Sequence, residues 1–201
     1  MTQKLKVGIQ GGVGSFNEQA LKQYLEKQTI PQDELEIKYL YTTDRVLSEL
    51  KAGEIERGQF AVENSIGGPV QETLMAQAKY LFDQNYEVID RYSLQVVHCL
   101  MVHPNARLEE VDTFMTHPQV IAQCRETIAR RYSRMILQEG KGDFVDPARV
   151  GEAIAGGLLP RNVATISNQL IAETWGLKVL DRNLQDRADN FTTFVFVKLC
   201  R

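Results

Sequence analysis

Four places in the chain set a polar or glycine-bearing turn at the start of a helical stretch, directly after a strand-like run. Ser15-Phe16-Asn17-Glu18 fits the S-x-x-E capping box, and Thr116-His117-Pro118-Gln119 fits its S/T-x-x-Q form. Asp146-Pro147 reads as a cap followed by proline at the first helical position. Gly67-Gly68-Pro69 reads as a helix start soon after a strand ending at Val62. A helix N-terminus presents unpaired N–H groups and a partial positive charge, so it suits anions. In open α/β sheets the same edge is where ligands bind. A small dicarboxylic ligand fits this chemistry. Capping boxes also satisfy helix N–H groups in any protein, so each turn alone has a purely structural reading.

Other candidate chemistries are weaker. Gly11-Gly12-Val13-Gly14 is neither a dinucleotide fingerprint nor a phosphate loop. His98, His103 and His117 lack metal-ligand spacing, so no metal site is expected. His98, on an apolar strand, reads as a satisfied core histidine. Cys124 reads as helix core, and Trp175 as packing at a helix end.

These turns need a scaffold, and hydrophobic periodicity supplies one. Strands are predicted at Lys4–Gln10, Glu36–Leu40, Gln59–Val62, Glu110–Met115, Arg134–Gln138, Val163–Ser167, Lys178–Asp181 and Thr193–Leu199. Helices are predicted at Asn17–Lys27, Asp44–Ala52 (Thr43 as N-cap, Gly53 as stop), Pro69–Phe82, Pro118–Ala129, Pro147–Ala155 and Gln169–Trp175, stopped by Gly176. The alternation implies parallel sheets covered by helices, an α/β class. Tyr86–Val102 is long and strand-like, and the charges Asp90-Arg91 interrupt it. A chain crossing between two lobes would look like this. The expected division is 1–92 for the first lobe, 93–176 for the second, and part of 177–201 returning to the first.

Bulk properties narrow the class. The 201 residues carry a net charge of -3 and are 43% hydrophobic. That is no basic footprint of a nucleic-acid binder, and no apolar run is long enough to span a bilayer. The N-terminus shows no signal-peptide pattern. Cys99, Cys124 and Cys200 are an odd set without C-x-x-C spacing, which suggests free thiols in a reducing compartment. A cytoplasmic protein is expected.

Five segments, in order, carry a family resemblance. They are Val7 to Glu18, with Gly14-Ser15-Phe16; Ala61-Val62-Glu63-Asn64-Ser65-Ile66-Gly67-Gly68-Pro69-Val70; Leu94 to Leu100, with His98; Thr116-His117-Pro118-Gln119 with Ala122-Gln123-Cys124; and Asn190-Phe191-Thr192-Thr193-Phe194. Val163–Leu180 adds a sixth. Together they resemble the prephenate dehydratases over nearly the whole chain. The resemblance implies a two-lobed, periplasmic-binding-protein-like (type 2) fold with the site in a cleft between lobes. It implies cofactor-free loss of CO2 and water from prephenate, giving phenylpyruvate. Thr192 would be the catalytic hydroxyl. Ser15, Phe16, Asn64, Ser65, Gly67, Thr116, Asn190, Thr193 and Phe194 would form the substrate-binding set. A homodimer or homotetramer is implied, with no nucleic-acid or membrane partner.

Three departures stand out. The family's closing threonine-arginine-phenylalanine has Thr193 in place of the arginine, removing a fixed charge with five donors. A stretch that often carries a threonine reads Asp146-Pro147-Ala148. The usual C-terminal ACT regulatory domain is not expected. These departures keep two alternatives open. One is a decarboxylase that releases CO2 and keeps the ring hydroxyl; the other is a carboxylate-binding module without chemistry.

Overall fold

In the computed structural model, which describes residues 4–80 and 86–200, the chain forms two compact units. The first holds residues 1–12, 16–95 and 191–201, and the second 13–15 and 96–190. In chain order the first unit contains β1 (Leu5–Ile9), α1 (Phe16–Lys27), β2 (Leu35–Tyr39), α2 (Thr43–Ala52), β3 (Arg57–Asn64), β4 (Gly68–Pro69), α3 (Gln71–Tyr80) and β5 (Tyr86–Gln95). The second contains β6 (Cys99–Val102), β7 (Thr113–Thr116), α4 (Pro118–Arg131), β8 (Ile136–Glu139), α5 (Pro147–Ala155), β9 (Val163–Ser167), α6 (Gln169–Trp175) and β10 (Lys178–Asp181). The chain then returns to the first unit as β11 (Phe191–Leu199).

Both sheets are mixed, where strand–helix alternation alone predicts parallel ones. In the first unit the order is β2-β1-β3-β11-β5, with β4 beside β3. β1, β2 and β3 run parallel, and β11 lies antiparallel between β3 and β5. In the second unit the order is β10-β6-β9-β7-β8. β7, β8 and β9 are parallel, β6 runs against β9, and β10 runs against β6 at the sheet edge. Antiparallel strands enter because the outgoing and returning segments are each built into a sheet.

The interruption of the long strand is also displaced. Asp90 and Arg91 lie inside β5, paired with Phe196 and Val195. A bulge beside them lets the strand run on to Gln95. The break falls instead at Val96–His98, between β5 and β6. The outgoing and returning backbones are paired there: Gln95 faces Phe191 in the sheet, and the Val96 N–H donates to the Asn190 carbonyl at 2.8 Å. The boundary is therefore 95/96 rather than 92/93. Residues 177–190 stay with the second unit because β10 pairs with β6.

Local signals explain most element ends. Gly53 and Gly176 stop α2 and α6 at φ +73 and +66. Asp146 caps α5 through the Ala148 N–H, with Pro147 at the first position. Two expected caps move by one residue. Thr42, not Thr43, caps α2 by accepting from the Arg45 N–H, and His117, not Thr116, caps α4 through Nδ1. Pro69 does not open a helix. Gly68 has φ +72, and Gly68 and Pro69 pair with Asn64 and Glu63 as β4, so α3 starts at Gln71. The expected far end of that helix, at Phe82, lies outside the described residues.

Apolar faces fix the layers. In the first unit α1 packs on one sheet face, with Leu21, Tyr24 and Leu25 against Val7, Ile9 and Phe196. On the other face Val46, Leu47 and Leu50 of α2 and Ala76 of α3 pack against Phe60, Val195 and Val197. In the second unit Val120, Cys124 and Ile128 of α4 meet Leu100, Phe114 and Ile166, and α5 and α6 cover Met101, Met115 and Val163. Gly14 belongs to this unit; a Cβ there would come within 3.1 Å of the Ile171 backbone, at φ +85.

Two polar features bear on stability. Between Thr193 and Phe194 the β11–β3 register skips Val62, a bulge on β3. The Ala61 N–H beside it donates to Gln10 Oε1 at 3.0 Å, and Thr73 Oγ1 donates to the Ala61 carbonyl at 2.7 Å. The Gln10 amide also donates to Glu72 (2.5 Å), whose carboxylate accepts from the Thr43 N–H (2.6 Å). This network carries β3 through the bulge to Asn64. In the second unit Thr165 is 0% exposed and its hydroxyl has no partner among the described residues. An unsatisfied buried hydroxyl costs roughly 1–3 kcal/mol. Thr165→Val therefore stabilises the protein, by about 1 kcal/mol in a urea titration. A lower midpoint would show that the hydroxyl is satisfied in solution.

Candidate active site

Asn64 ends β3 and is 2% exposed. Its Oδ1 accepts from the N–H groups of Ile66 (3.0 Å) and Gly67 (2.8 Å), closing the turn into β4. Those two donors settle which end of the amide is oxygen. Its Nδ2 therefore faces β11, donating to the Phe191 carbonyl (3.2 Å) and to Thr192 Oγ1 (3.0 Å). Ser65 ties the same place from the next residue: its N–H donates to the Phe191 carbonyl at 2.8 Å, and its Oγ accepts from the Phe191 N–H at 2.9 Å.

The consequence for Thr192 is directional. A hydroxyl has one hydrogen and two acceptor positions. Asn64 occupies an acceptor position, so the Thr192 hydrogen is left to donate elsewhere. Thr192 is half-buried and shares a sheet face with Leu94 and Phe194. Phe194 is 1% exposed, packs with Ala20, Ala61 and Leu94, and lies beside Tyr92 at 6.1 Å between ring centres. Phe16, the first residue of α1, packs on the same cluster. Of the predicted residues in the first unit, the structure thus brings together Asn64, Ser65, Gly67 and Thr192, with Phe16 and Phe194 packed nearby.

Thr193 is placed apart from them. It pairs with Glu63 and Ser93, and its hydroxyl lies 3.1 Å from that of Ser93. Alternation along the strand sets it on the opposite face from Thr192. The position where the motif arginine is missing does not share the Thr192 face.

The second unit holds Ser15, Thr116 and Asn190. Ser15 is 8% exposed. Thr116 is 0% exposed, and its hydroxyl donates to the Ile166 carbonyl at 2.8 Å, joining β7 to β9. Asn190 is 0% exposed, and its Nδ2 donates to Gln123 Oε1 at 2.9 Å. The same oxygen lies 2.7 Å from His98 Nε2. An amide oxygen only accepts, so His98 carries a proton on Nε2. Burial pulls the His98 pKa down to about 4, against the opposing effect of the Gln123 hydrogen bond. Sequence reading passed over Gln123, although it lies in one of the matched segments. Its partners are 25 and 67 residues away, and no local pattern encodes such contacts. His117 is also held neutral: burial lowers its pKa, with Asp146 and Glu139 opposing, and its Nδ1 must stay unprotonated to cap α4. No group of three or more metal-ligating side chains occurs among the described residues.

Comparison with known proteins bears on these motifs. The sequence model of the prephenate dehydratase family matches residues 7–199. The chain belongs to that family. It is 30% identical over 198 residues to arogenate dehydratase 3, chloroplastic, of Arabidopsis thaliana, covering 96% of this chain and 42% of that protein. It is 24% identical to the prephenate dehydratase of Bacillus subtilis strain 168, covering 96% and 64%. The crystal structure of prephenate dehydratase from Arthrobacter aurescens in complex with L-Phe superposes with a TM-score of 0.82 at 25% identity, covering 98% of this chain and 61% of that one. The chain thus spans less than half the length of the plant relative. Each of the two units is an α/β sheet unit, and the chain shares the fold of that prephenate dehydratase.

Two outcomes follow. Asn64→Asp keeps the acceptor for the Ile66 and Gly67 N–H groups but turns the donor facing Thr192 into an acceptor. The Thr192 hydrogen then points back at residue 64, and any turnover that uses it as a donor falls by about 10²-fold or more while the fold persists; turnover left unchanged would exclude the orienting role. The second outcome concerns pH. The folded His98 pKa of about 4 lies below the unfolded value near 6.5, so the unfolded state takes up the proton first as pH falls. Stability is full above pH about 6.5 and declines towards pH 4, by about 3 kcal/mol in all. Urea midpoints across this window show the slope, and His98→Gln removes most of it. His117, shifted in the same direction, supplies a remainder.

Proposed function

We propose that the chain catalyses the decarboxylating dehydration of prephenate to phenylpyruvate. The observation that carries this reading is the hydrogen bond from Asn64 Nδ2 to Thr192 Oγ1, which leaves the threonine hydrogen as a donor. In prephenate a quaternary ring carbon holds a carboxylate, and the carbon across the ring holds a hydroxyl. When the carboxylate leaves as CO2, the electrons of the broken C–C bond enter the ring. They expel the hydroxyl across it, and the ring becomes aromatic. The departing oxygen gathers negative charge and needs a donor. Thr192 supplies that hydrogen bond, and Asn64 keeps it aimed. Aromatisation provides the driving force, so the site mainly has to hold the substrate, and positioning can lower the barrier by about 7–11 kcal/mol at best.

The substitution of the motif arginine by Thr193 does not argue against dehydration on this geometry. Thr193 faces away from Thr192 and pairs with Ser93. Arogenate differs from prephenate by an amino group in place of the side-chain ketone, and the same elimination applies to it. Among the relatives, one is named for each substrate.

The test is to incubate the protein separately with prephenate and with arogenate, then identify the products by ultraviolet absorbance and mass. Phenylpyruvate from prephenate supports the proposal. Phenylalanine from arogenate alone would reassign the substrate. A non-aromatic product lighter by CO2 only would make the protein a decarboxylase, and no turnover of either would favour a binding module. In the active case, Thr192→Val lowers kcat by about 10²- to 10⁴-fold with KM nearly unchanged. Undiminished kcat would remove Thr192 from the reaction.

A further inference from the structure

The segment that leads into β11 is fastened to the middle of α4 by one side chain. Inside a regular helix each N–H pairs with the carbonyl four residues earlier, so the Glu126 and Thr127 N–H groups belong to Ala122 and Gln123. Here the Asp186 carboxylate accepts from both, at 2.9 Å from Glu126 and 2.7 Å from Thr127. The Asp186 N–H in turn donates to the Gln123 carbonyl at 2.8 Å. The exchange is reciprocal, like a capping box, but it sits at an interior turn of a 14-residue helix. The two residues before Asp186 are fastened too. Leu184 is 0% exposed in the core beneath α4, and its N–H donates to the His98 carbonyl at 3.0 Å. Gln185 Oε1 accepts from the His98 N–H at 3.0 Å.

We propose that Asp186 is a positioning residue for the reaction: by gripping α4 at Gln123–Thr127 it sets the Gln123 side chain, which fixes Asn190 and so the start of the strand that carries Thr192. The chain of contacts is continuous. Asp186 holds the backbone of Gln123, Gln123 Oε1 accepts from Asn190 Nδ2, and Asn190 is covalently followed by Phe191 and Thr192. Asp186 touches none of the reacting groups. A carboxylate is the fitting side chain, because it offers two acceptor oxygens to two adjacent N–H groups and no hydrogen of its own. This role rests on the dehydratase reading for its effect on rate, but not for its effect on Asn190.

The experiment combines kinetics with nuclear magnetic resonance on three variants. Asp186→Ala removes both acceptors. Asp186→Asn keeps one oxygen and serves as partial rescue. Ile128→Val, in the core under α4, lowers stability without touching the contacts. At a temperature where all are folded, Asp186→Ala is expected to lower kcat by about tenfold or more with KM changed less than about threefold. Asp186→Asn falls between it and the parent, and Ile128→Val keeps the parent kcat. The Asn190 side-chain amide signals, shifted and slow to exchange in the parent, move to the positions of a solvated amide in Asp186→Ala. An unmoved Asn190 amide overturns the proposal whether or not the protein turns over substrate. A moved amide with parental kcat overturns the positioning role. If the parent itself turns over neither prephenate nor arogenate, the dehydratase reading fails, and the Asn190 amide still decides whether Asp186 sets that residue.

Discussion

The amide of Asn64 has two ends, and the architecture of the first unit gives each a separate task. Its oxygen closes the turn from β3 into β4, and its nitrogen holds the Phe191 carbonyl and the Thr192 hydroxyl of β11. Neither task can be exchanged for the other, because the turn supplies only donors. The rest of the unit serves to bring Asn64 to this place. β3 carries a bulge at Val62, and Gln10 and Thr73 take up the Ala61 backbone groups beside it. The aromatic and aliphatic cluster of Phe194, Leu94, Ala61 and Ala20 anchors the sheet face that Thr192 shares. A hydroxyl of ordinary chemistry thereby acquires a set direction from a neutral amide.

The second unit shows the same economy at Gln123, whose side-chain oxygen accepts from both His98 and Asn190. One acceptor serves two donors there, and burial keeps the imidazole neutral. Such a network is fully satisfied or costly, so it holds one arrangement firmly. It lies where the chain enters the unit at Val96 and leaves it after Asn190: the Val96 N–H meets the Asn190 carbonyl, and His98 is two residues further on. Membership of the prephenate dehydratase family gives these contacts a chemical context.

Legibility in the sequence followed the range of the interaction. α5, β9, α6 and β10 read with their observed limits, because both helices have a cap at the start and a glycine at the end, and the strands are short apolar runs set beside them. Pro69 misled because Gly68 and Pro69 pair with β3, a contact that a helix-start pattern cannot anticipate. Asp90 and Arg91 looked like a break because charges are rare in buried strands, yet β5 is the outer strand of its sheet and tolerates them. The motifs pointed to Asn64, Ser65 and Thr192 together, and the fold joins them. Thr116 and Asn190 stood in equally recognisable motifs but turn their polar groups to Ile166 and Gln123. Asp186, in a loop with no motif, was invisible because its partners are backbone amides about 60 residues earlier.

The central claim is that Asn64 acts through the Thr192 hydroxyl, and a double-mutant cycle on kcat with prephenate tests it most directly. The parent, Asn64→Asp, Thr192→Val and the double variant would be compared under one set of conditions. The account predicts strong non-additivity, with the double variant no slower than Thr192→Val alone, because without the hydroxyl there is nothing left for Asn64 to aim. Additive losses, with the double variant slower by the product of the two single effects, would contradict it.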